Sequence, residues 1–334
     1  MCAKHPASDQ FIGVDIGGTK VAAGIVDAHG QILTQTRTPM NCRKTAEEGL
    51  ASVISAIEQL EKSGSSNHKK FHRIGICAPG PLDPRTGVII NPPNVPCWRD
   101  YPLANAVAQH FSATVKLDND ANAGGLAEYL WGAGRGYHNV FFATIGTGIG
   151  TGIGTGIILD GKILHGRTGS AAEGGHVSID FNGPVCNCGK KGCIEILASG
   201  TAIARRAREK LTESPERGAK LLELADGNPA SLRGEIVGRA AEVGDPLARE
   251  ILDQTLEYLA IWLGNTVDLL EPEVIILGGG ASEMLRPFFG EIQKRMKRWC
   301  INSRYLEIPL VPAFYGENAG IAGGAALCIS NSFR

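Results

Sequence analysis

The order of strand-like and helix-like segments runs twice along the chain, and this repetition most limits the folds that the sequence can adopt. Three short β-rich runs open the first half, and the breaks at Gly17-Gly18 and Gly30 predict an antiparallel meander with tight turns. Helical and strand patterns then alternate, giving the order β-β-β-α-β-α-β up to a hinge near residue 119. The second half restarts with a helix, a strand and a glycine-rich turn. We therefore predict an internally duplicated α/β fold.

The second half continues with longer helical patterns, which cover residues 196–209, 231–244 and 246–270. A buried strand pattern, "EVIILGGG", precedes a further helical pattern over residues 284–299, a short strand pattern and a final helix of small residues. A chain of 334 residues is long enough for two domains of ordinary size. The predicted bounds are 1–118 plus the C-terminal helix 319–334 for the smaller N-terminal domain, and 119–318 for the larger C-terminal domain.

Charge and composition argue against several classes of partner. The formal net charge is −1, so no basic field favours nucleic acid or an anionic membrane surface. The first ten residues are polar, and no unbroken apolar run has the length of a signal peptide or a membrane span. Six of the nine cysteines are scattered, which fits reduced thiols better than a disulfide framework. We expect a cytoplasmic protein that binds neither nucleic acid nor membrane.

Two glycine-rich turns that follow strands predict phosphate binding. In "DIGGTK", the backbone amides of Gly17, Gly18 and Thr19 can point at phosphate oxygens, and Asp15 can hold Mg²⁺. A plain hairpin turn explains this motif equally well. The stretch "GTGIGTGIGTGI", residues 146–157, has glycine at every even position, so an extended chain would present one face of bare backbone. Such a face usually marks close approach by another backbone or a ligand.

A turn in the second half that faces "DIGGT" would complete two amide cradles around one polyphosphate. Only the first copy of the repeat directly follows a strand, so the phosphate contact of the second half is assigned to that copy. "GGG" after the buried strand "EVIIL" is a third such place, suited to adenine or ribose lying against backbone. The predicted ATP-binding residues are Asp15, Gly17, Gly18, Thr19, Lys20, Gly146, Thr147, Gly148, Gly278, Gly279 and Gly280.

The stretch "LDNDAN", residues 117–122, joins a strand end to a helix start. One interpretation is that Asn119 or Asp120 simply caps the helix. The other is that Asp120 is a general base at the hinge, where a two-lobed protein would hold its substrate. Both interpretations stay open from these residues alone.

The segment 173–195 predicts a zinc site. Cys186, Cys188 and Cys193 are spaced C-x-C-x₄-C, and His176 lies ten residues before the first of them. Three thiolates and one imidazole make a closed tetrahedral site with no open position, so the zinc is expected to be structural. Buried thiols and a core histidine are the alternative, but three cysteines within eight residues, with glycines between them, are hard to explain as core.

The motifs "DIGGTK", "LDNDANA", "GTGIG", "EGGH" and "CNCGKKGCIE…ASG" together resemble those of the ROK family of bacterial sugar kinases and related repressors. The resemblance reaches the C-terminal "GENAGIAGGAAL" and is nearest to ATP-dependent glucokinases. It implies an actin/hexokinase-like (ribonuclease H-like) duplicated fold, with sugar and ATP in an interdomain cleft, and a homodimer or homotetramer. Two departures are a third copy of the "GTGI" unit and only fourteen residues before Asp15, which we expect to be too few for a repressor's DNA-binding domain.

The resemblance also implies roles for individual residues. Asp120 is implied as the catalytic base. The residues implied to contact the sugar are Asn94, Asn119, Asp120, Glu173, His176 and Glu195. The residues implied to bind zinc are His176, Cys186, Cys188 and Cys193.

We therefore expect a cytoplasmic hexose kinase that uses MgATP and makes glucose 6-phosphate for glycolysis. The alternatives are a kinase for N-acetylglucosamine, N-acetylmannosamine or fructose, a kinase that uses polyphosphate, and a sugar-sensing regulator without catalysis. Asp120 and the "DIGGTK" turn argue against the sensor, because sensing a sugar needs no phosphate cradle.

Overall fold

The structure is a computed structural model that describes residues 9–42, 45–63, 71–147 and 152–329. Strands over these ranges are, in chain order, β1 (Gln10–Ile16), β2 (Lys20–Asp27), β3 (Ile32–Pro39), β4 (Arg73–Ala78), β5 (Leu82–Asp83), β6 (Val88–Ile89), β7 (Thr114–Asn119), β8 (Val140–Ile145), β9 (Ile153–Leu159), β10 (Lys162–Ile163), β11 (Val274–Gly278) and β12 (Leu310–Pro312).

The α-helices of the same ranges are α1 (Ala46–Ser63), α2 (Leu103–Phe111), α3 (Asp120–Trp131), α4 (Ile194–Ala198), α5 (Gly200–Glu213), α6 (Ala219–Leu224), α7 (Gly234–Glu242), α8 (Pro246–Leu270), α9 (Gly280–Leu285), α10 (Phe289–Arg295) and α11 (Ala319–Ile329). None of them combines the length and the apolar character that a membrane span requires.

Ten of the described strands form two five-stranded sheets whose strand orders correspond. The first has the order β3-β2-β1-β4-β7 and the second has the order β10-β9-β8-β11-β12. In the first sheet, β1, β2 and β3 form an antiparallel meander, and β4 and β7 add in parallel. In the second sheet, β9 and β10 are antiparallel, and β11 and β12 are parallel. The matching orders confirm the predicted duplication. Strands β5 and β6 form a separate short hairpin.

The chain divides into two compact units. The first falls within Met1–Phe142, Gly156–Ala172 and Glu317–Arg334, and the second within Ala143–Thr155 and Glu173–Gly316. The division passes through strands β8 and β9. The expected domain bounds, 1–118 with 319–334 and 119–318, stay a prediction.

In the first unit, helices cover both faces of the sheet. Alternate residues of each strand point to opposite faces. Ile12, Val14 and Ile16 belong to one buried cluster that also contains residues of α1 and α2. On the other face α11 lies directly against the strands: a Cβ added at Gly13 would come 1.8 Å from the carbonyl oxygen of Ile321. The small residues of the last helix therefore serve close packing on the sheet.

Some predicted helices are wrong in extent. The pattern over 196–209 divides at Ser199, whose side chain accepts from the amide of Ala202 and so begins a new helix, α5. The pattern over 284–299 also breaks, since a 3₁₀ turn at Arg286–Phe288 separates α9 from α10. Pro287, which has no amide hydrogen, explains this break. Of the described residues in the expected extended glycine stretch, those from Ile153 onward lie in strand β9, whereas Gly146, Thr147 and Gly152 do not. Residues 148–151 lie outside the described ranges.

Candidate active site and metal centre

The carboxyl ends of three parallel strands of the first unit bring the predicted acidic residues to one edge. Asp15 of β1 pairs in register with Cys77 of β4, which in turn pairs with Asp118 of β7. The Gly17-Gly18 turn follows β1 directly. Asp120 follows β7 directly and is the first residue of α3. Carboxyl ends of parallel strands are where open α/β sheets bind ligands.

Asp15 is half-buried beside a thiol and the start of α11. The Cys77 Sγ donates to the Asp15 Oδ1 at 3.7 Å, and a Cβ added at Gly320 would lie 2.3 Å from the Asp15 Cγ. Burial raises the pKa of the Asp15 carboxyl above its ordinary value, against the opposing effects of the Cys77 hydrogen bond and of Lys20 and Arg37. Burial also raises the pKa of Cys77 well above its ordinary value, so this thiol keeps its proton.

The predicted glycine turn lies against the loop that carries Asn94. The amide of Gly17 donates to the carbonyl of Lys20 at 2.9 Å, which closes the turn. A Cβ at Gly18 would come 2.7 Å from the carbonyl oxygen of Asn94, so only glycine permits this approach. Thr19 and Lys20 are exposed. The first unit also has a cavity of about 960 Å³, and Gly18, Thr19 and Asn94 are among its lining residues.

Asn119, and not Asp120, is the cap of α3. The Asn119 Oδ1 accepts from the amides of Ala121 and Asn122 at 2.9 and 3.4 Å. Asp120 occupies the first turn, where its Oδ1 accepts from the Ala121 amide at 2.8 Å. The capping interpretation is therefore confirmed for Asn119. The role of Asp120 as a base stays a prediction.

Sequence reasoning missed a buried pair next to Asp120. The Asp118 Oδ2 lies 2.6 Å from the His165 Nε2, and the two side chains are 1% and 13% exposed. The Asp118 Oδ1 accepts from the Asn119 amide at 2.7 Å and from the Asn122 Nδ2 at 3.1 Å. The only sequence signal was a second aspartate in "LDNDAN", because His165 lies 47 residues further along the chain.

In the second unit, the four predicted zinc ligands come together. The ligand atoms of His176, Cys186, Cys188 and Cys193 all lie within 4.8 Å of one another. The Cys188 and Cys193 Sγ atoms are 3.7 Å apart, and the Cys186 Sγ is 3.7 Å from the His176 Nδ1. With Zn–S bonds of about 2.3 Å, a regular tetrahedron has edges of about 3.8 Å. These two separations are close to the edge length of a zinc tetrahedron.

The thiols of the cluster lie in different electrostatic environments. The backbone amide of Lys190 lowers the pKa of Cys188, whereas burial raises the pKa of Cys193 to about 12. A cation bound among these sulfur atoms would stabilise the thiolates and lower these pKa values.

The segment that carries the four candidate zinc ligands is attached to the rest of the second unit by hydrogen bonds. The Glu195 Oε2 accepts from the amide of Ile153 at 3.0 Å, and its Oε1 lies 4.0 Å from the His176 Nδ1. The amide of Gly174 donates to the Thr155 Oγ1 at 2.8 Å, and the Trp262 Nε1 donates to the Gly174 carbonyl at 3.1 Å. His176 and Glu195 are therefore held side by side, while Glu173 is exposed at the start of the segment.

The glycine turns of the second unit also meet. The amide of Gly200, at the start of α5, donates to the carbonyl of Gly146 at 2.9 Å. A Cβ at Gly280 would come 2.8 Å from the Thr147 Oγ1, and a Cβ at Gly279 would come 2.6 Å from the carbonyl of Ile145. Bare backbone from three segments thus lies together at the end of β8. Sequence reasoning missed Gly200, and the predicted contact Gly148 lies outside the described residues.

A comparison with known families decides the classification. The model of the ROK family matches residues 11–331. The chain belongs to the ROK family. Its two mixed five-stranded sheets are the actin-like two-domain fold of ROK proteins, as the sequence predicted.

Among ROK proteins, the glucokinase of Streptomyces coelicolor is 35% identical over 317 residues, which cover 95% of this chain and 96% of the relative. The crystal structure of a ROK family glucokinase from Streptomyces griseus, in complex with glucose and AMPPNP, has a TM-score of 0.80 and 35% identity, covering 96% of this chain and 99% of that one. The xylose repressor of Caldicellulosiruptor bescii is 28% identical, covering 96% of this chain and 78% of the repressor.

Proposed function

We propose that this ROK protein is an ATP-dependent hexose kinase and that its acceptor is the primary hydroxyl of glucose. The observation that carries the proposal is the position of Asp120. This carboxylate lies at the edge of the first sheet that also bears Asp15 and the Gly17-Gly18 turn. The similarity to glucokinases over nearly the whole chain supports glucose as the substrate.

In the proposed reaction, Asp120 takes the proton of the sugar hydroxyl while that oxygen attacks the γ-phosphorus of MgATP. The bond from the γ-phosphorus to the bridging oxygen breaks, and ADP leaves. Phosphoryl transfer depends mainly on positioning and on stabilisation of charge. Asp120 is suited to this role because the Asn119 cap and the first turn of α3 hold its backbone in place.

The remaining predicted residues are assigned to binding. We propose that the sugar hydroxyls are bound by Asn94, Asn119, Asp120, Glu173, His176 and Glu195. We propose that the backbone of Gly17, Gly18, Gly146 and Gly278–Gly280, together with Thr19, Lys20 and Thr147, contacts ATP, and that Asp15 serves its Mg²⁺. Zinc held by His176 and the three cysteines would leave no open coordination position, so its contribution is to hold His176 and Glu195 in place.

A coupled assay for ADP release, run with ATP and a panel of sugars, tests the proposal. The panel contains glucose, mannose, fructose, N-acetylglucosamine and N-acetylmannosamine, and polyphosphate replaces ATP in a parallel series. We expect the highest kcat/KM with glucose and ATP. A preference for an acetamido sugar would reject glucose while keeping the kinase.

The second candidate function is a sugar sensor, which the similarity to xylose repressors favours. A sensor would bind sugar without turnover. The same assay, combined with calorimetric titration of glucose, separates the two functions, because saturable binding with no ADP release for any sugar would favour the sensor.

Gly200→Ala tests the proposed nucleotide site. A Cβ at residue 200 would come 2.8 Å from both the Gly146 carbonyl and the Thr147 Cα, which are backbone atoms that cannot rotate away. We expect the KM for ATP to rise about tenfold, which corresponds to about 1.4 kcal/mol, with little change in the KM for glucose. Gly290→Ala is the control, because nothing lies within 4 Å of an added Cβ there. An unchanged KM for ATP in Gly200→Ala would remove this turn from the nucleotide site.

A further inference from the structure

The proposed reaction gives no role to His165, although this residue is tightly held within the first unit. It follows strand β10 in a loop whose backbone is fixed at both sides. The amide of Leu164 donates to the carbonyl of Ile157 at 2.8 Å, and the amide of Ala171 donates to the carbonyl of His165 at 3.2 Å. The imidazole is therefore presented to Asp118 by an ordered loop.

The contacts of Asp118 show which atoms donate and which accept in its hydrogen bonds. Its Oδ1 accepts twice, from the backbone amide of Asn119 and from the side-chain amide of Asn122. A carboxylate has no hydrogen to donate, so the second oxygen of Asp118 also acts as an acceptor. The His165 Nε2 then donates to the Asp118 Oδ2 across 2.6 Å.

These bonds lie on both sides of Asp120. The Asn119 amide belongs to the residue before it, and Asn122 is in the first turn of α3, two residues after it. Asp118 thus ties the strand end to the helix start, and its own side chain is oriented by His165. A buried carboxylate that lost one of its donors would rotate or draw in water, because unmet buried hydrogen-bonding groups are costly.

We propose that His165 is a positioning residue for the reaction: through Asp118, it fixes the Asn119–Asn122 turn and so sets the direction of the Asp120 carboxylate. This inference rests on the proposed kinase function. His165 is not among the residues proposed to contact the sugar or the nucleotide, and its effect passes through Asp118.

Misplacement of a catalytic group by about 1 Å can lower a rate by about 100-fold. We therefore expect His165→Ala to lower kcat about 10- to 100-fold, with the KM values for glucose and ATP within about threefold of wild type. His165→Gln should recover most of kcat, because its side-chain amide can still donate to the Asp118 Oδ2. In an Asp118→Asn background, His165→Ala should cause less than a further twofold loss, because coupled residues are not additive.

A second histidine–carboxylate pair of the same unit provides the control. The His110 Nε2 lies 3.4 Å from the Glu58 Oε1, and these side chains are 43% and 42% exposed. Exposed pairs of this kind contribute little. His110→Ala should therefore leave kcat and the unfolding temperature unchanged.

The experiment measures kcat, both KM values and thermal unfolding for wild type and these variants, with glucose and ATP as the substrates. An active wild type whose kcat survives His165→Ala would overturn this inference and leave the proposed function intact. Equal losses in His165→Ala and His165→Gln that follow the loss of folded protein would also overturn it, since they indicate packing alone. A wild type with no kinase activity would overturn both the proposed function and this inference.

Discussion

Asp120→Asn is expected to lower kcat by about 100- to 10,000-fold while leaving the KM for glucose within a few-fold of wild type. The asparagine keeps an oxygen that can accept from the Ala121 amide, as the Asp120 Oδ1 does at 2.8 Å, and the Asn119 cap is untouched. The fold and the binding of the sugar should survive for that reason. The base is lost, since an amide cannot take the proton of the hydroxyl. Steady-state kinetics with glucose and ATP measure the change.

Asp160→Asn is the matched control for this substitution. Asp160 lies in the turn between β9 and β10 with a φ of 49°, a conformation that asparagine adopts readily. The kcat of Asp160→Asn should equal that of wild type. If Asp120→Asn kept a kcat near wild type, Asp120 would be only part of the helix start, and the proposed mechanism would fail.

Cys188→Ser is expected to remove zinc and stability together. Metal analysis of the wild-type protein should give one zinc per chain, and the variant should give close to none. Because structural zinc binding contributes about 10–16 kcal/mol in small zinc domains, its loss should at least unfold the 173–195 segment. The KM for glucose should rise as well, since His176 and Glu195 are attached to that segment. Metal content, thermal unfolding and sugar kinetics are measured on the same preparation.

Cys300→Ser provides the control for the loss of a thiol in the same unit. The Cys300 Sγ donates to the Asp268 Oδ1 at 3.0 Å, and a serine hydroxyl can make the same bond. Zinc content and unfolding temperature should stay at wild-type values. Wild-type protein that is purified without chelators and contains no zinc would contradict the assignment of the cluster.

Local sequence patterns were sufficient to predict much of this protein. The spacing of Cys186, Cys188 and Cys193 predicted a cluster of possible metal ligands because these residues lie close together in the chain, and the structure brings their sulfur atoms together. The repeated order of strand and helix patterns predicted the matching sheets because periodicity and turn residues act over a few residues. Such features are determined by residues that are close together in the sequence, so they can be recognised without the tertiary structure.

Tertiary structure alone decided the rest. At Ser199, where a continuous helical pattern breaks, the local cap is joined by a long-range bond from the Gly200 amide to the carbonyl of Gly146, 54 residues earlier. The pairing of His165 with Asp118 also joins distant parts of the chain, and no periodicity marks a histidine that will face a buried carboxylate. Helix propensity and spacing describe the energy of a segment by itself. Long-range hydrogen bonds and burial, which arise only when strands and helices pack, determined where these segments end and which side chains meet.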